Sequence, residues 1–205
     1  MIDSGADGVL RLDAGGLQLA LWIDHTFSRG SAANVRTYAR EAVVTEDPYS
    51  RALGMAVLRD GREIASAVLI VAAWCPDAQE SSIIVRSDAL YLPAGPHVVA
   101  LHLPSLETRW VREVEGACIF GMMEIDDADA LLVHGELEIT RLGMDGEVQW
   151  QRGGFDIFTG GCWTRDGVVY AVDWIGAEYR WRLSDGEPVG VTPGAHPPGW
   201  AGATD

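Results

Sequence analysis

Apolar and polar residues alternate in three stretches of the chain, from Leu90 to Trp110, from Asp129 to Trp150 and from Val169 to Val189. Alternation with a period of two places successive side chains on opposite faces of a β-strand. Asp-Gly pairs at 145–146 and 185–186 interrupt the pattern and are typical of turns between antiparallel strands. The stretches recur at intervals of about 40 residues, so the pattern predicts repeated β-hairpins that stack on one another.

Two further hairpins are predicted near the start of the chain. Leucines alternate on both sides of a Gly-Gly turn between residues 10 and 23, and a second hairpin spans 52–73 around the turn Asp60-Gly61. The second arm of that hairpin contains the continuous apolar run ASAVLIVAA. A run of this kind predicts a strand that is buried on both faces.

The segment 24–47 between these hairpins fits two interpretations. Ser31 is a suitable N-cap for a short helix that ends near Ala42, because alanine and arginine favour helices. Val35, Thr37 and Ala39 alternate with polar residues, which fits a strand equally well. We favour the strand, because strands are predicted on both sides of the segment.

Each repeat contains a lead strand, two alternating strands and a short fourth strand with an aromatic residue near the end of the unit. The predicted lead strands are 83–85, 118–120 and 155–158. Four short strands in about 40 residues are typical of a propeller blade. The predicted fold class is therefore all-β, with propeller-like blades that form a partial or small propeller behind the N-terminal hairpins. The predicted organisation is an N-terminal β-hairpin region (1–80) packed on the repeats, the propeller-like repeats (81–191) and a disordered tail (192–205).

The phrases LYLPAGPHVVALHLPSLETRW and LLVHGELEITRLGMDGEVQW resemble the repeats of quinoprotein-like β-propellers, the PQQ-like repeats. The chain as a whole resembles small bacterial proteins that carry an HGELEITRL-like core. Quinoprotein dehydrogenases bind a quinone and a calcium ion in a ring of six to eight blades. Three repeats are too few for that ring, and no adjacent cysteine pair is present to cover a quinone. The resemblance therefore implies the blade without the enzyme, and we expect no cofactor.

Charge restricts the partners. The chain carries 30 acidic and 15 basic residues, a formal net charge of −15. Nucleic acids and anionic membranes both require a basic surface, so they are not expected as partners. The balance favours another protein with a basic surface. The acidic N-terminus, the absence of an apolar run of about 20 residues and three widely spaced cysteines predict a cytoplasmic protein with reduced thiols.

Two groups of residues are candidates for metal binding or catalysis. His134, Glu136 and Glu138 project on the same face if one strand continues through them, but Gly135 interrupts that strand. Aspartates at 126, 127 and 129 offer the hard oxygen ligands that calcium prefers, without the remainder of a calcium-binding loop. We therefore predict neither catalytic residues nor a metal site.

The predicted function is that of a non-catalytic protein-binding module. One specific form is an immunity-type protein that neutralises a basic toxin or enzyme through an acidic surface. The alternative is an enzyme of unrecognised type centred on His134, Glu136 and Glu138 or on the aspartate cluster at 126–129. Trp110, Trp150 and Trp181 occupy repeat positions and are expected in the core. The residues predicted to contact the partner are Asp126, Asp127, Asp129, Glu136, Glu138, Asp145, Glu147 and Trp174.

Overall fold

A computed structural model describes residues 8–46, 49–72, 82–125 and 129–194, and the regular elements in these ranges are β-strands that form four sheets. This confirms the predicted all-β fold class with propeller-like blades. The N-terminal sheet contains β1 (Leu10–Ala14), β2 (Leu17–Ile23), β3 (Arg40–Val43), β4 (Ser50–Arg59) and β5 (Arg62–Ala72).

Each of the other three sheets has four consecutive antiparallel strands and is called a blade here. Blade 1 contains β6 (Ile84–Val85), β7 (Ala89–Ala94), β8 (His97–His102) and β9 (Thr108–Glu113). Blade 2 contains β10 (Ile119–Ile125), β11 (Ala130–Gly135), β12 (Glu138–Gly143) and β13 (Val148–Gly153). Blade 3 contains β14 (Cys162–Arg165), β15 (Val168–Val172), β16 (Glu178–Arg182) and β17 (Pro188–Thr192).

The hairpins and their turns follow the prediction. Asp60-Gly61 connects β4 to β5, Asp145-Gly146 lies between β12 and β13, and Asp185-Gly186 lies between β16 and β17. Glycine is required at the second position of these turns, because its φ is +73° at Gly61, +86° at Gly146 and +69° at Gly186. The N-terminal sheet has the strand order β1-β2-β4-β5-β3, in which only β3 pairs in parallel, with β5.

The strand predicted from the alternation at Val35, Thr37 and Ala39 is wrong, and so is the helix that was its alternative. Residues 31–39 form turns and irregular backbone, and the strand in this region is β3. Val35 is 84% exposed, so its apolar side chain does not mark a buried face. Side chains hold this segment instead: the Tyr38 ring stacks on Trp22 at 6.2 Å, and the Tyr38 hydroxyl donates to an Asp24 carboxylate oxygen at 2.7 Å.

The predicted lead strand of the third blade, 155–158, is also wrong. The lead strand is β14, and Phe158 belongs to the connection that precedes it. Phe158 is fully buried between blades 2 and 3, and its amide donates to the Glu136 carbonyl at 2.6 Å. The apolar pattern at this point therefore reflects a loop residue that fills the space between two sheets.

Three apolar clusters hold the sheets together, and each joins two neighbours in the chain. The first joins the N-terminal sheet to blade 1, the second joins blade 1 to blade 2, and the third joins blade 2 to blade 3. Among the described residues, no such cluster joins blade 3 back to the N-terminal sheet. Within the described residues, the sheets therefore pack in chain order, each against the next.

A tryptophan and an arginine on the outer strand of one blade bind the turn of the next. Trp110 donates from Nε1 to the Met144 carbonyl at 3.0 Å, and Arg112 donates from Nε to the Gly146 carbonyl at 2.7 Å. A Cβ added to Gly146 would approach the Trp110 ring to 2.8 Å, so glycine lets the ring lie against the turn. This arrangement is called the latch.

The latch repeats between blades 2 and 3. Trp150 donates to the Leu183 carbonyl at 3.0 Å, and Arg152 donates to the Gly186 carbonyl at 2.7 Å. On β17, Gly190 and Thr192 occupy the corresponding positions, so blade 3 carries neither latch side chain. Thr192, the first residue of the predicted tail, is paired within β17, and 195–205 lie outside the described residues.

Candidate functional site

The candidate partner-contacting residues divide between two opposite edges of the blades. Asp129 precedes β11, and the turn with Asp145 and Glu147 follows β12 on the same side, which we call the Asp129 edge. Glu136 and Glu138 lie where β11 ends and β12 begins, on what we call the Glu136 edge. At about 3.4 Å per residue, β11 separates the two edges by roughly 20 Å. The predicted residues therefore form two surfaces, and Asp126 and Asp127 lie outside the described residues.

Arginines offset much of the acidic charge on the Asp129 edge. Arg86 forms ion pairs of 2.6 Å with both Glu124 and Asp129, and these contacts raise the pKa of its guanidinium above the ordinary value. Arg109 pairs with Asp88 at 3.1 Å. Both arginines line a cleft of about 450 Å³ together with Asp129 and Asp145. This edge therefore presents charges of both signs among the described residues.

The Glu136 edge differs in charge. Glu136 and Glu138 are half-buried and Asp156 is exposed. In the parts of the chain that the structure describes, no arginine or histidine forms an ion pair with any of the three. Burial raises the pKa of Glu138, and the nearby Glu115 carboxylate raises it further. These carboxylates therefore lack the counter-charges that the Asp129 edge has.

Large apolar side chains are exposed beside these carboxylates. Phe155 is 90% exposed, Trp174 is 66% exposed and Leu137 is 43% exposed. The turn that carries Trp174 is hydrogen-bonded to the segment that carries Phe155, because the Trp174 amide donates to the Ile157 carbonyl at 2.8 Å. The Tyr179 hydroxyl strengthens this connection, since it accepts from the Phe155 amide at 2.8 Å and donates to Asp173 at 2.9 Å.

A buried carboxylate fixes the backbone of this edge. Glu115 is only 3% exposed, and its Oε1 accepts the amides of Gly116 and Ala117 at 2.7 and 3.0 Å. Its Oε2 accepts the amides of Leu137 and Glu138 at 3.1 and 3.0 Å. One side chain thus joins the connection between blades 1 and 2 to the β11–β12 turn, so it belongs to the interior and not to the acidic surface.

His134 is occupied by a structural contact. Its Nε2 lies 3.1 Å from the Phe158 carbonyl, and the Phe120 ring meets the imidazole edge-on at 5.8 Å. Because the carbonyl is an acceptor, Nε2 carries the proton in this arrangement. Burial lowers the pKa of His134, which keeps the imidazole neutral. Within the described ranges, no three histidine, cysteine or acidic side chains are grouped so as to hold a metal ion.

The two described thiols are enclosed by the protein. Cys118 is buried and Cys162 is half-buried, and burial raises the pKa of the Cys162 thiol to about 12. A thiol with such a pKa is protonated at neutral pH and is a poor nucleophile. Cys75 lies outside the described residues.

Sequence reasoning missed Leu137 and Phe155 as exposed apolar residues and Glu115 as a buried carboxylate that holds backbone amides. Phe155 follows two glycines, Gly153 and Gly154, and this local signal is typical of a loop that exposes its next residue. Glu115 precedes Gly-Ala, where small residues leave backbone amides accessible to a nearby carboxylate. Trp174 is exposed as expected, whereas Trp150 and Trp181 are buried at 5% exposure each.

No helix in the described ranges is long and apolar enough to cross a membrane. No protein-family model matches the chain, and no curated protein matches it. The crystal structure of BamB from Moraxella catarrhalis is similar, with 11% identity and a TM-score of 0.51 over 96% of this chain and 76% of BamB. The computationally designed Ika8 protein is similar with 8% identity and a TM-score of 0.52, over 91% of this chain and 61% of Ika8. At these identities the likeness is one of fold, and because BamB is a β-propeller, it supports a propeller-like fold.

Proposed function

We propose that the chain is a non-catalytic protein-binding module that docks a basic protein surface on its Glu136 edge. The observation that carries the proposal is a combination on one edge: three carboxylates that form no ion pair with any described residue, and three exposed apolar side chains. Exposed aromatic residues supply most of the affinity in protein interfaces, and uncompensated charge of one sign speeds association with a partner of opposite charge. The specific form that we propose is a cytoplasmic immunity-type protein that neutralises a basic toxin or enzyme.

The blade sequences also support a relationship to quinoprotein-like propellers at the level of the repeat. The structural likeness to BamB agrees with that proposal, because it extends over nearly the whole chain. The proposed relationship concerns how the blades are built and carries no enzymatic activity with it.

The proposal is tested with the basic proteins encoded beside the gene for this chain. Association of the purified proteins is measured by surface plasmon resonance at several salt concentrations. The double reversal Glu136→Arg with Glu138→Arg should slow association by about tenfold or more and flatten its salt dependence. Trp174→Ala should raise the dissociation constant about 30-fold, as expected for an aromatic anchor worth about 2 kcal/mol.

The matched control is the double reversal Asp145→Arg with Glu147→Arg. It changes the net charge by the same amount on the opposite edge, where Arg86 pairs with Asp129 and Arg109 pairs with Asp88. Association of this control should remain within about threefold of the unmodified protein, because its charges lie outside the interface. Equal losses for the two double reversals, or failure of every neighbouring basic protein to bind, would overturn the proposal.

A further inference from the structure

The Glu136 edge contains a groove that is lined in part by Gly116, Gly153 and Gly154. The groove has a volume of about 580 Å³ and lies between Leu137 and Phe155, with Glu138 and Asp156 at its border. A Cβ added at Gly153 would meet only the Leu137 carbonyl oxygen, at an ordinary 3.5 Å, and the φ of this glycine is not in the left-handed region. The backbone thus does not require glycine at 153, and the missing side chain leaves the groove empty.

Both apolar and acidic side chains line the groove. Leu137 and Phe155 offer apolar surface, and the carboxylates of Glu138 and Asp156 stand beside it without ion pairs among the described residues. A long cationic side chain matches both, because its methylene stem packs on apolar surface while its charged head pairs with carboxylate. The face of an aromatic ring adds an attraction for the same cation.

The chain already uses this combination internally. The Arg36 guanidinium lies over the Trp22 ring at 4.7 Å and over the Tyr38 ring at 5.4 Å. The same guanidinium forms an ion pair with Glu63. Arginine between aromatic faces and a glutamate is thus an arrangement that this protein forms elsewhere, whereas the groove has the aromatic ring and the carboxylates without the arginine.

We infer that the groove between Leu137 and Phe155 receives an arginine or lysine side chain of the protein partner, whose charged head pairs with Glu138 and Asp156. The inference rests on the proposed function, because it assigns the partner residue that enters the Glu136 edge. Burial disfavours the ionised form of Glu138, and an incoming cation offsets that cost. An apolar side chain would leave both carboxylates without a counter-charge.

The test uses agmatine, which carries a guanidinium at one end of a four-carbon stem and an ammonium at the other, and butylurea as an uncharged molecule with a stem of the same length. Each is titrated into the ¹⁵N-labelled full-length protein, and amide chemical shifts are followed by NMR. Agmatine should bind in the millimolar range and shift the amides of Gly116, Leu137 and Phe155, whereas butylurea should bind at least about tenfold more weakly. Saturating agmatine should also slow association of the basic partner.

Two variants test the groove itself. Gly153→Val places a side chain against Leu137, and Glu138→Gln removes one carboxylate charge without changing its shape. Each should weaken agmatine binding about tenfold or more, and Asp145→Asn on the opposite edge should leave it unchanged. The Glu138→Gln result stands even if Gly153→Val proves unstable.

The outcomes separate this inference from the proposed function. If agmatine and butylurea bind equally, or agmatine binding survives both groove variants, the inference is overturned, even where the partner still docks through Trp174. If agmatine occupies the groove but does not slow partner association, the groove binds a small free cation. The inference that it receives a side chain of a protein partner is then overturned. If agmatine binds as expected and no basic protein docks, the groove stands and the proposed function fails.

Discussion

Replacement of Glu115 by glutamine should lower the free energy of unfolding substantially, although the two side chains have the same shape. Each carboxylate oxygen accepts two backbone amides, two from the connection between blades 1 and 2 and two from the β11–β12 turn. Glutamine keeps one oxygen and directs its NH₂ group at the other two N–H donors. Two charge-assisted hydrogen bonds are lost at about 1.5–3 kcal/mol each, so the free energy of unfolding should fall by about 3–6 kcal/mol.

Urea unfolding followed by tryptophan fluorescence and circular dichroism measures this loss. The control is Glu113→Gln, which makes the same chemical change two residues earlier on an exposed side chain. Surface changes of this type usually stay within about 0.5 kcal/mol, so the two variants should differ by several kcal/mol. A difference below about 1 kcal/mol would refute the role of Glu115 as the anchor of the Glu136 edge.

Two other predictions concern the latch and the thiols. Trp150→Ala should lower the free energy of unfolding by about 3–5 kcal/mol, because it removes a buried indole and its hydrogen bond to Leu183, whereas the exposed Trp174→Ala should change it by less than about 0.5 kcal/mol. Equal losses of unfolding free energy for the two variants in urea would contradict a stabilising role of the latch. Iodoacetamide at pH 8 should leave Cys118 and Cys162 unmodified in the native protein, because both thiols are enclosed and the Cys162 pKa is about 12. Rapid labelling of Cys162, detected by peptide mass, would show that its thiol is accessible to the reagent in the native protein.

The repeat and its turns were predictable because they depend on local chemistry. A period-two apolar pattern and Asp-Gly pairs are sufficient to place hairpins, and positive φ at Gly146 and Gly186 explains why glycine follows aspartate there. Trp110 and Trp150 were recognisable as equivalent positions from their spacing. The sequence did not show that they bind the following blade, because that contact joins residues far apart in the chain.

The irregular segments were not predictable, because side chains from distant elements hold them. The alternation at 35–39 suggested a strand, but Asp24 and Trp22 fix Tyr38 in a loop. The number of acidic residues in a stretch of sequence is a poor guide to surface charge for a similar reason. Counting acids along the chain treats Glu115, Glu124 and Glu136 alike, although the first is buried, the second is paired with Arg86 and the third has no counter-charge among the described residues.

The latch also makes the two sides of blade 2 complementary to each other, so that a copy of this blade could be added next to it. Blade 2 offers Gly146 to the blade before it, and Trp150 with Arg152 to the blade after it. A tandem duplicate of residues 114–153 therefore carries both halves of the contact, and each copy meets a ready partner at either junction. Gene duplication of this segment would add a blade that uses the same latch contacts, so no new contact between blades would have to evolve. Blade 3 has Gly190 and Thr192 in place of the tryptophan and arginine, so a copy of blade 2 placed after blade 3 would not meet the latch side chains there.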